Sequence, residues 1–345
     1  MKISHEYFYK ILFSVIIFII TFIVIMTSYN LVVKKKYIYN INNYYNGIPN
    51  SIEYYQNEDQ KKIGKTIQIT NDENGFRNKK NSIYKKDILF LGDSLIRGVN
   101  TDDEKLLSNI INKKIYNAGM DGFSTFNSVN VAKHLYKKKK FKKIILFFAM
   151  NNDFRDNVFQ TKYEKNFKHQ IMIKIKNNQF LNQLLKVRFL FQSKNDEKMN
   201  ISEINKNYFH INFLKLLINE KKFVNISKKE TLIAFKNLKD LSLKNNAQLI
   251  IVGIPNISEV FKDIDKILDL KNELLSEKLL IEDFRKKVDF NNPKKVFFSV
   301  CEKAKIKCVY VPLDKKSFHE IDYGHWNSHG QEITKNYLIK HLNMF

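Results

Sequence analysis

The sequence predicts an α/β fold built on a parallel sheet, and two observations carry this prediction. From residue 87 onward, short apolar segments alternate with segments of helical periodicity, which is the order of elements in a parallel α/β domain. One apolar segment, Lys142–Met150, is almost unbroken, as expected for a strand that is buried on both faces in the middle of such a sheet.

Five segments are the predicted strands, and helical segments lie between them. Residues 124–140 place apolar side chains on one helical face, Pro293 begins another helix, and a C-terminal helix begins near Ser328. Two capping-box patterns, Thr101–Glu104 and Ser227–Glu230, each predict the start of a further helix. The predicted strands are Asp87–Leu91, Lys114–Asn117, Lys142–Met150, Ala247–Pro255 and Lys307–Leu313.

The N-terminal region predicts a membrane anchor. Residues 11–33 carry no charge and are long enough to cross a bilayer, which needs about 20 apolar residues, and no small-x-small cleavage site follows them. We therefore predict an N-terminal tail at 1–10, one transmembrane helix at 11–33, a spacer at 34–84 and an α/β domain at 85–345. A basic, irregular stretch at about 159–226 is predicted to be an insertion over one end of the sheet.

The strong positive charge does not by itself indicate a nucleic-acid partner. The chain has 345 residues and a formal net charge of +24. Its lysines are spread along the whole sequence among frequent Asn and Ile, and no recognised nucleic-acid-binding motif accompanies them. We therefore predict no nucleic-acid partner.

Polar residues that follow the predicted strands form the candidate site, because ligands bind at the carboxyl ends of parallel strands. Ser94 follows the first strand, Gly122 the second and Asn152 the third, while Asp322 and His325 follow the last. A serine becomes a nucleophile when a neutral imidazole takes its proton, and an acid orients that imidazole. Gly-Asp-Ser is also a common turn, and the G-x-S-x-G spacing of the α/β-hydrolases is absent.

Four motifs in this order resemble the SGNH, or GDSL, hydrolase superfamily: FLGDSL, NAGMDGFST, NNDF and DYGHWN. The resemblance implies a three-layer α/β/α sandwich with a flavodoxin-like parallel sheet, and ester chemistry that uses no cofactor and no metal. It implies that Ser94 is the nucleophile, His325 the base and Asp322 the acid of a triad. Gly122 and Asn152 are then oxyanion donors beside the Ser94 N–H.

Two further features qualify the resemblance. The segment NDENGFRN, residues 71–78, resembles one found just upstream in membrane-anchored proteins of this type. The family usually has glycine one or two places before the motif asparagine, whereas this chain has Met150 and Asn151. This departure implies an oxyanion pocket of different size or polarity.

Several residues keep a second interpretation. The spacing of His325 and His329 suits a metal site on one helix face, but the glutamate of H-E-x-x-H is missing, so metal binding is disfavoured. Trp326 either packs under the histidine loop or forms a wall of the acyl pocket. Arg77 and Arg97 either contact an anionic substrate or are solvated. The other candidate metal ligands are His319 and Asp322.

The expected function is therefore serine ester hydrolysis through an acyl-Ser94 intermediate, with an O-acetylated envelope glycan as the candidate substrate. Two alternatives remain open: O-acyl transfer to a surface polysaccharide by the same triad, and a catalytically silent, membrane-bound glycan-binding protein. Lysines after the anchor favour a cytoplasmic body. Against this, Cys301 and Cys308 could approach to the Cα separation of about 6 Å that a disulfide requires, and we expect an extracytoplasmic domain.

Overall fold

A computed structural model describes residues 5–32, 37–40, 44–55, 66–111, 114–150, 152–164, 214–262, 286–319 and 325–342. Upstream of the α/β domain lie a long helix and two antiparallel hairpins. These elements are α1 (His5–Val32), β1 (Tyr37–Asn40) paired with β2 (Tyr44–Gly47), and β3 (Ile52–Tyr55) paired with β4 (Ile67–Thr70).

The centre of the fold is a five-stranded parallel sheet. Its strands are β5 (Ile88–Leu91), β6 (Ile115–Asn117), β7 (Lys143–Ala149), β8 (Gln248–Ile254) and β9 (Lys307–Tyr310). Their order in the sheet is β6-β5-β7-β8-β9, so the second strand lies outside the first, which is the flavodoxin-like order. The α/β class and the parallel sheet predicted from the sequence are confirmed.

Helices cover both faces of this sheet. They are α2 (Ser94–Arg97), α3 (Leu107–Ile111), α4 (Thr125–Tyr136), α5 (Asp153–Glu164), α6 (Lys221–Lys244), α7 (Ile257–Phe261), α8 (Asn292–Ala304) and α9 (Ser328–Leu342). One face carries α4, α5, α6 and α8, and the other carries α2, α3, α7 and α9.

The central strand β7 shows why its sequence is apolar without alternation. Ile144, Leu146 and Phe148 belong to the core under one helical layer, whereas Ile145 and Phe147 belong to the core under the other. Successive side chains point to opposite faces of a strand, so a strand covered on both faces needs apolar residues at every position.

Both predicted capping boxes are wrong, and tertiary contacts explain one of them. The first α-helix after Thr101 begins at Leu107, because the Gln331 side chain accepts the Leu107 N–H at 2.6 Å and also donates to Thr101 Oγ1. The helix predicted to begin at Ser227 begins instead at Lys221. Its cap is Glu220, whose carboxylate accepts the N–H groups of the first turn.

A disulfide joins the helix α8 to the edge strand β9. Cys301 is buried in α8 and Cys308 lies in β9, with their Cα atoms 6.2 Å apart. The Cα separation agrees with the value of about 6 Å that the sequence analysis gave for a disulfide between these two cysteines.

The predicted transmembrane segment, 11–33, coincides with most of α1. Phe13 and Phe18 on this helix are exposed. Within the described residues, no helix combines the length and the apolar character needed to cross a bilayer. The anchor and the domain limits therefore stay predictions. Most of the predicted insertion, residues 165–213, lies outside the described part of the chain.

Candidate active site

The turn after β5 presents Ser94 at the carboxyl edge of the sheet. Gly92 has a φ of 156°, and a Cβ there would lie 2.8 Å from a carbon of Ile96, so glycine is required for this close approach. Asp93 caps α2 by accepting the Leu95 N–H at 3.0 Å. Ser94 is the first residue of α2 and is half-buried, so its hydroxyl is accessible beside a buried carboxylate.

The structure brings His325 to this serine. His325 Nε2 lies 2.7 Å from Ser94 Oγ, although the two residues are 231 positions apart in the chain. This separation is within the range for proton transfer from a hydroxyl to an imidazole. The predicted nucleophile and base are therefore in direct contact.

The loop that carries His325 is held in place by its neighbours. Trp326 donates its indole N–H to the Leu95 carbonyl of the nucleophile helix at 3.2 Å, and it pairs as an isolated bridge with Phe318. The His319 N–H donates to the His325 carbonyl at 3.3 Å. Trp326 is 2 % exposed, so it packs under the histidine loop and its interpretation as a pocket wall is wrong.

The predicted acid of the triad, Asp322, lies outside the described residues. Its contact with His325 therefore stays a prediction. The same holds for any metal site that would use Asp322. Among the described residues, no group of three His, Cys, Asp or Glu side chains could hold a metal ion, and His329 bonds Asp314 at the surface at 3.1 Å.

Asn152 lies against the turn that presents Ser94. Its side-chain N–H donates to Asp93 Oδ2 at 2.6 Å, which uses one of the two amide hydrogens and fixes the plane of the amide. The sequence analysis did not predict that Asp93 would accept the Asn152 amide N–H. Its position directly before Ser94 was the one sequence feature that pointed to it, and a turn already explained that position.

Two buried carboxyl groups lie behind the site. Burial raises the pKa of Asp93, opposed by the Leu95 N–H, by His325 and by the Asn152 amide. Burial also raises the pKa of Asp153 well above its ordinary range, and the charges of Asp93 and Asp156 raise it further. The charged form of Asp93 thus has three supporting neighbours, whereas both carboxylates near Asp153 oppose its charge.

Gly122 lies in the loop after β6, and this loop packs against the turn that presents Ser94. The Met120 N–H of this loop donates to the Gly92 carbonyl at 3.2 Å. Gly122 has a φ of 67° and is exposed, as a turn residue in the left-handed region. Its part as an oxyanion donor stays a prediction.

Of the two residues that depart from the motif pattern, the structure describes only Met150. Met150 is fully buried among the residues under α6 and α8, and its terminal methyl packs on Gly253 of β8. Asn151 lies outside the described residues. Met150 therefore belongs to the core, and the expected change in the oxyanion pocket stays a prediction.

Neither interpretation of the two arginines holds, because both guanidinium groups are buried. Arg77 is 3 % exposed and donates to Asp103 and to the carbonyls of Arg97 and Thr101, so it supports the chain that leaves α2. Arg97 is 1 % exposed and pairs with two carboxylates.

Comparisons with solved structures find several of low similarity to this chain. No family model matches the chain, and the search of curated proteins found no match. The structure of TesA has 10% sequence identity and a TM-score of 0.36, over 73% of this chain and 96% of that chain. A catalytic mutant of Axe2, an acetylxylan esterase from Geobacillus stearothermophilus, has 10% identity and a TM-score of 0.38, over 76% and 96%. A GDSL-like lipase from Bacteroides thetaiotaomicron has 11% identity and a TM-score of 0.33, over 74% and 87%. Similarity at this level does not determine the activity, which depends on the site itself.

Proposed function

We propose that this protein is a serine ester hydrolase that forms an acyl intermediate on Ser94. The observation that carries the proposal is the distance of 2.7 Å between His325 Nε2 and Ser94 Oγ. A serine hydroxyl is a weak nucleophile until a neighbouring base takes its proton, and a neutral imidazole at this distance is such a base.

The reaction proceeds in two halves. In the first, Ser94 Oγ attacks the ester carbonyl carbon while its proton moves to His325 Nε2, and the imidazolium then protonates the leaving alcohol. In the second, water attacks the acyl carbon and gives a proton to the same nitrogen. The acid leaves as the proton returns to Oγ. In this proposal Asp322 holds the imidazole and stabilises the imidazolium.

The oxyanion of each tetrahedral intermediate needs hydrogen-bond donors. We assign these to the backbone N–H groups of Ser94 and Gly122 and to the Asn152 amide. One such donor lowers the barrier by about 3 kcal/mol when it is fixed in advance. The bond from Asn152 to the buried Asp93 supports its assignment, because it orients the amide before substrate binds.

We propose an O-acylated glycan of the cell envelope as the substrate, with the α/β domain outside the cytoplasm behind an anchor at 11–33. The support is the uncharged sequence of this segment and the disulfide between Cys301 and Cys308, because disulfides persist in oxidising compartments. Transfer of the acyl group to a sugar hydroxyl would use the same intermediate and differs in the acceptor.

Labelling with a serine-directed fluorophosphonate tests the nucleophile. Ser94→Ala should lose both the label and hydrolysis of 4-nitrophenyl acetate. Ser242→Ala, a matched change of a buried serine on α6, should keep both. Mass analysis of products with a sugar oligomer present distinguishes free acid from transferred acyl group. Wild-type turnover in Ser94→Ala would overturn the proposal.

Protease treatment of spheroplasts tests the location. The α/β domain should be digested from outside, and a thiol-reactive label should modify Cys301 and Cys308 after reduction and not before. A protected domain with two freely labelled thiols would place it in the cytoplasm and remove the envelope glycan as substrate.

A further inference from the structure

A buried arginine ends the nucleophile helix and connects it to two other parts of the chain. Arg97 is three residues after Ser94, and its side chain is 2 % exposed. One guanidinium nitrogen donates to Asp121 Oδ2 at 2.5 Å and the other terminal nitrogen donates to Glu53 Oε2 at 2.8 Å. The two carboxylates therefore share one cation.

Glu53 comes from a hairpin that is not part of the parallel sheet. It lies in β3, paired with Ile69 of β4, and its side chain is 18 % exposed. Its second oxygen accepts the side-chain N–H of Asn71 at 2.6 Å, and Asn71 is itself buried. Both carboxylate oxygens of Glu53 are therefore held, one by Asn71 and the other by Arg97.

Asp121 lies in the loop that carries Gly122, and this loop packs closely against the nucleophile turn. A Cβ on Gly119 would lie 2.6 Å from the Arg97 backbone nitrogen. The Met120 N–H donates to the Gly92 carbonyl. The position of the loop thus depends on contacts with both ends of the turn that presents Ser94.

The buried cation of Arg97 depends on both of its carboxylate partners. A guanidinium removed from water is stable when its donors are paired, and its planar fork holds two carboxylates at fixed angles. Removal of one partner leaves the charge partly uncompensated and frees the arginine to shift toward the other partner. A change at Glu53 therefore reaches Asp121 through Arg97.

We propose that Glu53 is a positioning residue of the active site: through Arg97 it holds Asp121, and with it the loop of Gly122, against the turn that presents Ser94. The inference rests on the proposed function, and it adds that the hairpin upstream of the α/β domain is part of the catalytic architecture. Glu53 acts here on the geometry of the loop and not on substrate.

A double-substitution cycle tests this path in the full-length protein. Glu53→Gln and Asp121→Asn should each lower kcat for 4-nitrophenyl acetate by about tenfold with KM unchanged, because a small misplacement of catalytic groups has that scale of effect or more. The double variant should be no slower than the slower single variant, since both act through Arg97. Glu332→Gln, which breaks an exposed ion pair with Lys335, is the matched control.

Amide hydrogen exchange at residues 119–123 gives a readout that does not depend on activity. Exchange should be faster in Glu53→Gln and unchanged in Glu332→Gln. If the wild type hydrolyses no ester, the proposed function fails, and the exchange still tests the network. Urea unfolding is measured for every variant, and Asp121→Asn carries the kinetic test if Glu53→Gln does not fold. Unchanged exchange in the loop, unchanged kcat, or fully additive losses would overturn the proposal.

Discussion

Replacement of Asn152 by alanine should affect catalysis and stability by two separate routes. The change removes an amide assigned to the oxyanion, so kcat should fall by about 100- to 1,000-fold while KM stays near its wild-type value. It also removes the donor that lies 2.6 Å from Asp93 Oδ2. Loss of one partner of a buried carboxylate should lower the free energy of unfolding by about 1–3 kcal/mol.

The stability loss should depend on pH, because the Asn152 amide favours the charged form of Asp93 and lowers its pKa. Without this donor the pKa of Asp93 rises further above its ordinary value. The contribution of the Asn152 bond is present where Asp93 is a carboxylate and is lost as the pH falls and Asp93 becomes protonated. The difference between wild type and Asn152→Ala should therefore shrink at acidic pH.

Steady-state kinetics with 4-nitrophenyl acetate and urea unfolding at several pH values measure both effects. Asn157→Ala is the matched control, because Asn157 lies on the same helix, is fully buried and bonds Thr125 and Thr231. It should lose stability and keep kcat. An Asn152→Ala variant that raises KM with kcat intact would make Asn152 an ordinary substrate contact and refute the oxyanion assignment.

Three further predictions follow from single residues. Because His325 must be neutral to accept a proton, kcat/KM should fall as the pH is lowered and the imidazole becomes protonated. A chelator should have no effect, and activity that zinc restores after chelation would contradict a metal-free reaction. Trp326→Phe keeps the apolar contact and deletes the hydrogen bond to the Leu95 carbonyl. The free energy of unfolding should drop by about 1–2 kcal/mol, and kcat should fall with it. An unchanged kcat would show that this bond does not position His325. Burial raises the pKa of Glu259 from 4.5 to about 8. Its contribution to stability, up to about 5 kcal/mol, is therefore present below pH 4.5 and lost as the pH rises toward 8. Glu259→Gln should remove this pH dependence in urea unfolding at pH 5, 7 and 9, and an unchanged profile would refute burial of Glu259 as the cause.

The periodicity of the sequence was enough to predict the sheet and most of its helices. Residues 144–149 are apolar at every position. The helix predicted at 124–140 was found at Thr125–Tyr136, and the one predicted near Ser328 was found at Ser328–Leu342. These predictions succeed because the buried face of a strand or helix shows as a short-range periodicity of apolar residues in the sequence. The capping box at Thr101 failed because the Gln331 side chain, 224 positions away, caps α3 at Leu107. The one at Ser227 failed because Glu220 caps that helix earlier in the chain.

For the candidate site too, the sequence determined the residues and the tertiary structure determined their contacts. The sequence by itself determined which residue types stand at the carboxyl ends of the strands, and therefore that Ser94, Asn152 and His325 were candidates. The tertiary structure decided that His325 lies at Ser94, that Asp93 orients Asn152, and that Arg97 is a buried partner of Glu53 and Asp121. These contacts join residues that are 24 to 231 positions apart in the chain. Which donor meets which acceptor depends on the surfaces that the packed core brings together, and short-range sequence patterns do not contain this information.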